Sequence, residues 1–207
     1  MARPADPLRI VPIVEGHGEV ESVRILIHRI WAECLPALPL EVLRPIRIPR
    51  SKLVKDGELE RAVTLARLQT DDNDGVLVLI DADDDCPKQS APQLLERARK
   101  VGVARRVSVV LARREYEAWF LAAAVSIRGQ RRLPPDLVSP PDPEYVTDAK
   151  GWLSERMIGT SVYSPTLDQP ALTAVFDLAE ARAAPSFDKL CRDLCHYIGA
   201  DAALQSA

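Results

Sequence analysis

The sequence has little of what marks an exported, membrane-embedded or strongly basic protein. Met1 to Pro7 contain no apolar core of a secretory leader, so no export signal is expected. No apolar run approaches the roughly 18–20 residues that a membrane span needs, and no membrane partner is expected. The four cysteines, Cys34, Cys86, Cys191 and Cys195, form no paired framework. In a chain of this size without a leader they read as reduced thiols, which points to a cytoplasmic protein. Cys191, Cys195 and His196 are the one hint of soft-metal ligation, but they lack a second ligand pair and read better as core. Lysine and arginine total 27 against 30 aspartates and glutamates, a net charge of -3, so there is no global pull toward nucleic acid. A local basic groove stays open, because steering depends on where charges lie. Gly16-His17-Gly18 is too short for a phosphate loop, and no internal repeat is visible.

What is present is an alternation of short apolar runs with helical patterns. At 207 residues and 47% hydrophobic, the chain suits one domain with a well-buried core and a small helical appendage. Leu8 to Val14 reads as a strand, with Pro12 suggesting an edge or irregular position. A helix follows from about Glu19 to Cys34, its inner face marked by Val20, Val23, Ile27, Ile30 and Trp31. Leu40 to Ile48 reads as a second strand interrupted by Pro45. Arg44, Arg47, Arg50, Lys52 and Lys55 then place five positive charges in twelve residues. These could track a nucleic-acid backbone, although a solvated loop is the plainer meaning and no aromatics are interleaved for base stacking.

Gly57 to Gln69 is an amphipathic helix with Leu59, Val63, Ala66 and Leu68 as its inner side, and Asp71 to Gly75 is a turn into the strand Val76 to Ile80. Pro92 is placed to open a helix over Gln93 to Val101. Arg106 to Leu111 is the fourth strand and Glu115 to Val125 the helix after it, with Tyr116, Trp119 and Phe120 as core. This alternation predicts an α/β fold: a mainly parallel four-stranded sheet flanked by helices. The pattern then changes. Gly129 to Tyr145 holds five prolines and no periodic apolar signal, so it reads as a linker or surface loop. Thr147 to Met157, Gln169 to Ala184 and Ser186 to Ile198 read as helices, with Ser186 as an N-cap and a frayed tail after Gly199. The expected organisation is an α/β core over 1–128, a proline-rich loop over 129–146 and a C-terminal helical extension over 147–207.

Carboxylates gather where the strands end. Glu15 and Glu19 follow the first strand, Asp81 and Asp83 the third, and Glu115 and Glu117 the fourth. Residues two apart on an extended chain share a face, which would aim Asp81 and Asp83 the same way. The crevice at the carboxyl ends of a parallel sheet is where ligands bind, and converging carboxylates repel unless a cation lies between them. A hard divalent ion, Mg²⁺ or Mn²⁺, prefers such oxygen ligands. The expectation is a first ion on Glu15, Asp81 and Asp83, and a second on Glu19 with Glu115 or Glu117. Two such ions clamp the attacking and leaving oxygens in phosphoryl transfer. Each carboxylate also has a plain reading as a helix cap or a solvated strand end. His17 in the glycine turn is a candidate base or phosphate contact, or simply exposed. Arg113, Arg114, Lys150 and Lys189 are candidate phosphate contacts, or solvated.

The acid after the first strand and the Asp81-x-Asp83 pair resemble the TOPRIM fold of topoisomerases, bacterial primases and the overcoming-lysogenization-defect nucleases. The Glu15-x-x-x-Glu19 spacing looks most like the nuclease branch, in which the second glutamate supports a second metal. The glycine usual after the paired aspartates is absent, since Asp85 and Cys86 stand there. A closer resemblance covers nearly the whole chain. Glu15-Gly16-His17-Gly18-Glu19, Arg114 to Phe120, Tyr163 to Gln169 and Ala184-Pro185-Ser186-Phe187 look like the bacterial family called domain of unknown function 4276. That resemblance implies a TOPRIM/Rossmann-like fold and a metal site with Glu15, Glu19, Asp81 and Asp83 as catalytic residues. It also implies frequent encoding beside ATPases, sometimes in phage defence. The resulting expectation is a metal-dependent phosphodiesterase, a nuclease or other hydrolase, with nucleic acid as substrate and an ATPase as possible partner. The alternative is a catalytically silent TOPRIM-like interaction module regulated by a partner ATPase.

Overall fold

The computed structural model describes residues 6–72, 74–101 and 106–198; the tail expected to fray after Gly199 lies outside them, as does the side chain of His196. Strand β1 (Leu8–Val14) leads into helix α1 (His17–Cys34). The expected second strand is two short ones, β2 (Leu40–Val42) and β3 (Ile46–Arg47), because Pro45 cannot continue a ladder. Helices α2 (Arg50–Leu53) and α3 (Glu58–Arg67), strand β4 (Gly75–Asp81), helix α4 (Pro87–Lys100) and strand β5 (Val107–Ala112) follow. Helix α4 opens on Pro87, in the first turn where a missing N–H costs nothing, so Pro92 lies inside the helix and does not start it. Helix α5 (Ala118–Ala122) continues into a 3₁₀ turn at Ala124–Ile127. The predicted loop carries two further 3₁₀ turns, Gln130–Arg132 and Pro143–Tyr145, and buries Leu133, Leu137 and Glu144. The last stretch comprises α6 (Ala149–Arg156), α7 (Pro165–Thr173), α8 (Leu178–Ala181), α9 (Pro185–Arg192) and a π turn at Asp193–Ile198. Thus two of the three predicted C-terminal helices are each broken in two.

All strand pairs are parallel, in the order β2/β3–β1–β4–β5. Strand β1 is therefore internal, contrary to the edge placement that Pro12 suggests. The Ile10 and Val14 carbonyls accept from Leu43 and Ile48, so even-numbered backbone groups of β1 face β2 and β3. The missing N–H of Pro12 falls at the break between those two short strands, where no ladder bond is lost.

Alternation along the strands sends side chains into two cores. Val11, Ile13, Val76, Val78, Val109 and Leu111 pack with Leu59, Ala62, Val63 and Ala66 of α3 and with Leu94 of α4. The α3 residues recur at i, i+3, i+4 and i+7, the stripe one helix face offers a sheet. On the other face Ile10, Val14, Leu77, Leu79 and Val110 pack with Val23, Leu26, Ile27, Ile30 and Trp31 of α1. The same cluster takes in Leu153, Leu172, Phe176 and Phe187, so the C-terminal helices share this core. Tyr116, Trp119, Phe120, Phe176 and Phe187 form a run of tilted and edge-on ring pairs with centroids 4.7–5.6 Å apart. Ser186 does not cap a helix: it lies inside α9, donates to Glu144, and its hydroxyl accepts from Trp119 Nε1 at 2.8 Å.

Candidate functional site

The carboxyl ends of β1, β4 and β5 bring Glu15, Asp81, Glu115 and Glu117 to one side of the sheet, beside the start of α1. Asp81 has the parity of Leu77 and Leu79 and so points toward α1 and the C-terminal helices. It is 5% exposed, and its Oδ1 accepts the Tyr116 N–H at 2.7 Å. Glu117 is fully buried; its Oε1 accepts from the Tyr163 hydroxyl at 2.9 Å. Glu115 Oε2 accepts the N–H groups of Ala149 and Lys150 at 2.9 and 3.2 Å. A carboxylate there satisfies orphan donors at the α6 N-terminus and meets the positive end of that helix.

The cation among them is a side chain. Lys150 Nζ, carried on the first turn of α6, lies 3.0 Å from Glu117 Oε2, 3.3 Å from Glu115 Oε1 and 3.7 Å from Asp81 Oδ2. Burial alone would lower its pKa, but Glu117, Asp81 and Glu115 outweigh burial and raise it, so Lys150 is charged at any physiological pH. Burial first, then Glu117, pushes Asp81 well above the ordinary carboxylate range, while Lys150 pulls it back. Glu117 is likewise raised by burial and held down by Lys150.

Glu19 and the two glycines fill the neighbouring space. Glu19 sits in the first turn of α1 and accepts the Gly16 N–H, the carboxylate half of a capping box. Its other oxygen meets Gln169 Nε2 of α7 at 3.4 Å. A Cβ on Gly16 would lie 2.3 Å from Glu19 Oε2, and one on Gly18 would lie 2.0 Å from Gln169 Oε1 and 2.7 Å from the Pro165 carbonyl. The glycines do permit a close approach, and what approaches is the protein itself. His17 between them is exposed. Glu15 is partly buried and its Oε2 has no partner. Burial first, then Glu19 and Asp83, push its pKa up to about 7.

Asp83 does not join Asp81. The chain leaves its extended path after β4: Asp83 has φ of 49°, in the left-handed region that aspartate tolerates better than most residues. Its side chain is 60% exposed and pairs with Arg50 Nη1 at 3.2 Å, while Arg50 also bonds Asp85 and the Ala82 carbonyl. Arg50, from the basic run, thus ties α2 to the strand tip. Arg114 also has a positive φ, 59°, and pairs with Asp84 at 3.1 Å. Arg113 lies over the Tyr145 ring, 4.4 Å from its centroid, and Lys189 pairs with Asp193.

The expected metal centre is therefore corrected. Among the described residues no group of three or more His, Cys, Asp or Glu side chains is arranged to hold a metal ion. The donor chemistry gives the reason: Glu19, Asp81, Glu115 and Glu117 already bond N–H and O–H groups or Lys150, and Asp83 turns away to Arg50. With that centre go the Mg²⁺ or Mn²⁺ cofactor, the metal-dependent hydrolase or nuclease, and the phage-defence role attached to it. Lys150, expected as a phosphate contact or a solvated side chain, is instead the counter-ion of the cluster. Its one local signal is its place in the first turn of a helix, where a cation is unfavourable unless carboxylates face it.

The cysteines also depart from expectation. Cys34 and Cys195 form a disulfide with Cα atoms 5.9 Å apart, and only Cys86 and Cys191 are free. The two half-cystines are 161 residues apart, which no local spacing could reveal. Among the described residues no helix is long and apolar enough to cross a membrane.

Fold and site together define a parallel α/β sheet protein with a C-terminal helical extension, its acidic strand tips neutralised by a lysine from that extension. The chain belongs to the family described as Domain of unknown function (DUF4276), which matches residues 14–195. Neither curated proteins nor solved structures give a match.

Proposed function

We propose that this chain is a TOPRIM-like interaction module, catalytically silent by itself, that works through a partner ATPase. The observation that carries the reading is Lys150: the acidic cluster at the strand tips is neutralised from within, and its carboxylates hold the C-terminal extension in place. Counting β2 and β3 as one interrupted strand, the order is that of a doubly wound sheet reversing between β1 and β4. That order supports a TOPRIM- or Rossmann-like ancestry, with the ligand crevice closed by Lys150, Gln169 and Tyr163. The proline-rich stretch and the extension also carry exposed apolar side chains suited to a protein contact: Val138 and Tyr145 in the first, and Ile158, Val162 and Leu167 in the second, are each more than half exposed.

The test is co-purification with an ATPase encoded beside the gene, followed by light scattering and ATP turnover with and without this chain. The expected result is a stoichiometric complex at micromolar concentration and an altered turnover. Val162→Asp and Leu167→Asp should each weaken the complex by about tenfold or more, or about 1.4 kcal/mol, with unchanged melting temperature. Absence of a complex and unchanged turnover would overturn the reading. Binding to DNA or RNA in place of the ATPase would overturn it equally.

A further inference from the structure

Helix α1 ends at Cys34, and the chain's last described turn returns to that point. The sulfurs of Cys34 and Cys195 are bonded, and both residues are half-buried, within reach of a small reagent. Cys191 stands one helical turn before Cys195 and is buried in the same core cluster as Trp31, Leu190 and Leu194. Glu33, the neighbour of Cys34, acts on Cys191, so three of the four cysteines meet at one junction. Among the described side chains, Asp193 and Leu194 also hold the π turn Asp193–Ile198 there. Asp193 accepts from Ser108 of β5 and pairs with Lys189, and Leu194 is buried.

We propose that Cys34 and Cys195 are a reversible redox site, a clamp that pins the C-terminal turn to the end of α1 when oxidised and releases it when reduced. The reductant is a small dithiol. One of its thiolates attacks a clamp sulfur, the protein S–S bond breaks and a mixed disulfide forms. Its second sulfur then displaces the protein sulfur. Two electrons pass to the clamp, two protons end on the Cys34 and Cys195 thiols, and the reagent leaves as a cyclic disulfide. Cys191 does not interfere. Burial first, then Asp188 and Glu33, push its thiol up to about 12 against the pull of Arg182, so little thiolate exists to attack the neighbouring bond. The clamp therefore opens by an external thiol and closes to the same pair. Because the sheet and the other C-terminal helices have their own contacts, reduction loosens the turn without unfolding the domain.

The test uses the full chain, oxidised with a cyclic disulfide reagent or reduced with dithiothreitol. Peptide mapping after alkylation should show a Cys34–Cys195 link with Cys86 and Cys191 alkylated. Hydrogen exchange over 193–198 should quicken about tenfold or more on reduction, while the β4 amides remain far slower than the turn in both states. Cys34→Ser and, separately, Cys195→Ser should exchange at the fast rate in both conditions, and Cys86→Ser should behave as wild type. Failure to form the link, a link through Cys191, or equal exchange in the oxidised and reduced chains would each overturn the proposal.

Discussion

Replacing Lys150 by methionine tests whether this ammonium is the cation that makes the strand-tip cluster tolerable. Methionine keeps the apolar stem and removes only the charge. Asp81 and Glu117 are almost wholly inaccessible, and Lys150 Nζ lies within 3.7 Å of both. Breaking a buried ion pair by removing one partner costs about 3–5 kcal/mol. The Lys150 side chain is 33% exposed, so solvent screening reduces that to about 2–4 kcal/mol. For a chain of this length each kcal/mol moves the melting temperature by about 2–4 °C, which places the drop near 4–16 °C.

The pH dependence carries a sign. Asp81 and Glu117 are raised in the folded protein, and without Lys150 they rise further. Below the ordinary carboxyl range, folded and unfolded chains are both protonated and the penalty vanishes. As pH rises toward the folded-state values, the unfolded chain ionises first and stability falls. The variant should therefore be much weaker than wild type at about pH 8 and nearly its equal at about pH 4.5. Urea unfolding at both values reads this directly. Equal stability at the higher pH, or a loss that ignores pH, would refute the internal-cation account. A double-mutant cycle with Glu117→Gln should recover part of the loss, because the stranded charge is then gone.

Glu15→Gln should stabilise the protein above neutrality. Glu15 titrates near 7 when folded, so its ionisation costs stability as pH rises from the ordinary carboxyl value through about 7 and costs none below that window. After discounting its partial exposure the gain is about 1–2 kcal/mol at about pH 8, and chemical denaturation showing no gain would count against the crowded-carboxylate picture. Gly18→Ala should cost about 1–3 kcal/mol, since a Cβ there meets the Pro165 carbonyl as well as Gln169; thermal melting checks it, and a neutral result would mean that α7 does not sit on the start of α1. Calorimetric titration with Mn²⁺ or Mg²⁺ should show no saturable heat at millimolar metal, and a site that fills in the micromolar range would sink the silent-module reading.

The extent to which all this is legible in sequence varies with the range of the interaction. Strand β4 is readable because six consecutive apolar and small residues, closed by an acid, admit few other local structures. The stripe of α3 is readable in part: Leu59, Val63 and Ala66 are buried, but Leu68, expected on the same face, lies past the last helical residue and is 80% exposed. The pairing of Asp81 with Asp83 fails on one dihedral: an extended chain would align them, and a left-handed residue at Asp83 sends the second carboxylate to Arg50. The direction of a strand after its last ladder bond is set by what the next element packs on, which two-residue spacing does not encode. The C-terminal helices are harder still. Pro165, Pro170 and Pro185 lie in helices where a residue count would place breaks, and Ser186 looks like a cap until Trp119 and Glu144 are placed beside it. The acidic cluster was visible, and its partner was not, because Lys150 reaches Asp81 from 69 positions away. A metal and a lysine answer the same electrostatic demand, and the sequence states only the demand.

Helix α1 connects these features, because the C-terminal half is fastened to both of its ends. At the N-terminal end Gly18 and Glu19 receive α7, and Lys150 acts with Glu19 on the same carboxylates, Glu15 and Asp81. Midway, Arg29 donates to the Thr173 carbonyl at 2.7 Å. At the C-terminal end Cys34 bonds Cys195. With 18 residues at 1.5 Å rise the two end fastenings lie about 27 Å apart. Sites so distant that share no partner behave independently to within about 0.5 kcal/mol. Under oxidising conditions Cys34→Ser should remove up to about 5 kcal/mol of loop-closure stabilisation, less if native strain or residual unfolded structure intervenes. Combining it with Lys150→Met should give the sum of the two single losses. An excess loss in the double variant, read by urea unfolding, would mean that α1 transmits loosening from one end to the other and that the extension detaches as one unit. A simple sum would mean two separate fastenings, so that a thiol reagent could loosen the C-terminal turn while the lysine-filled strand tips stay closed.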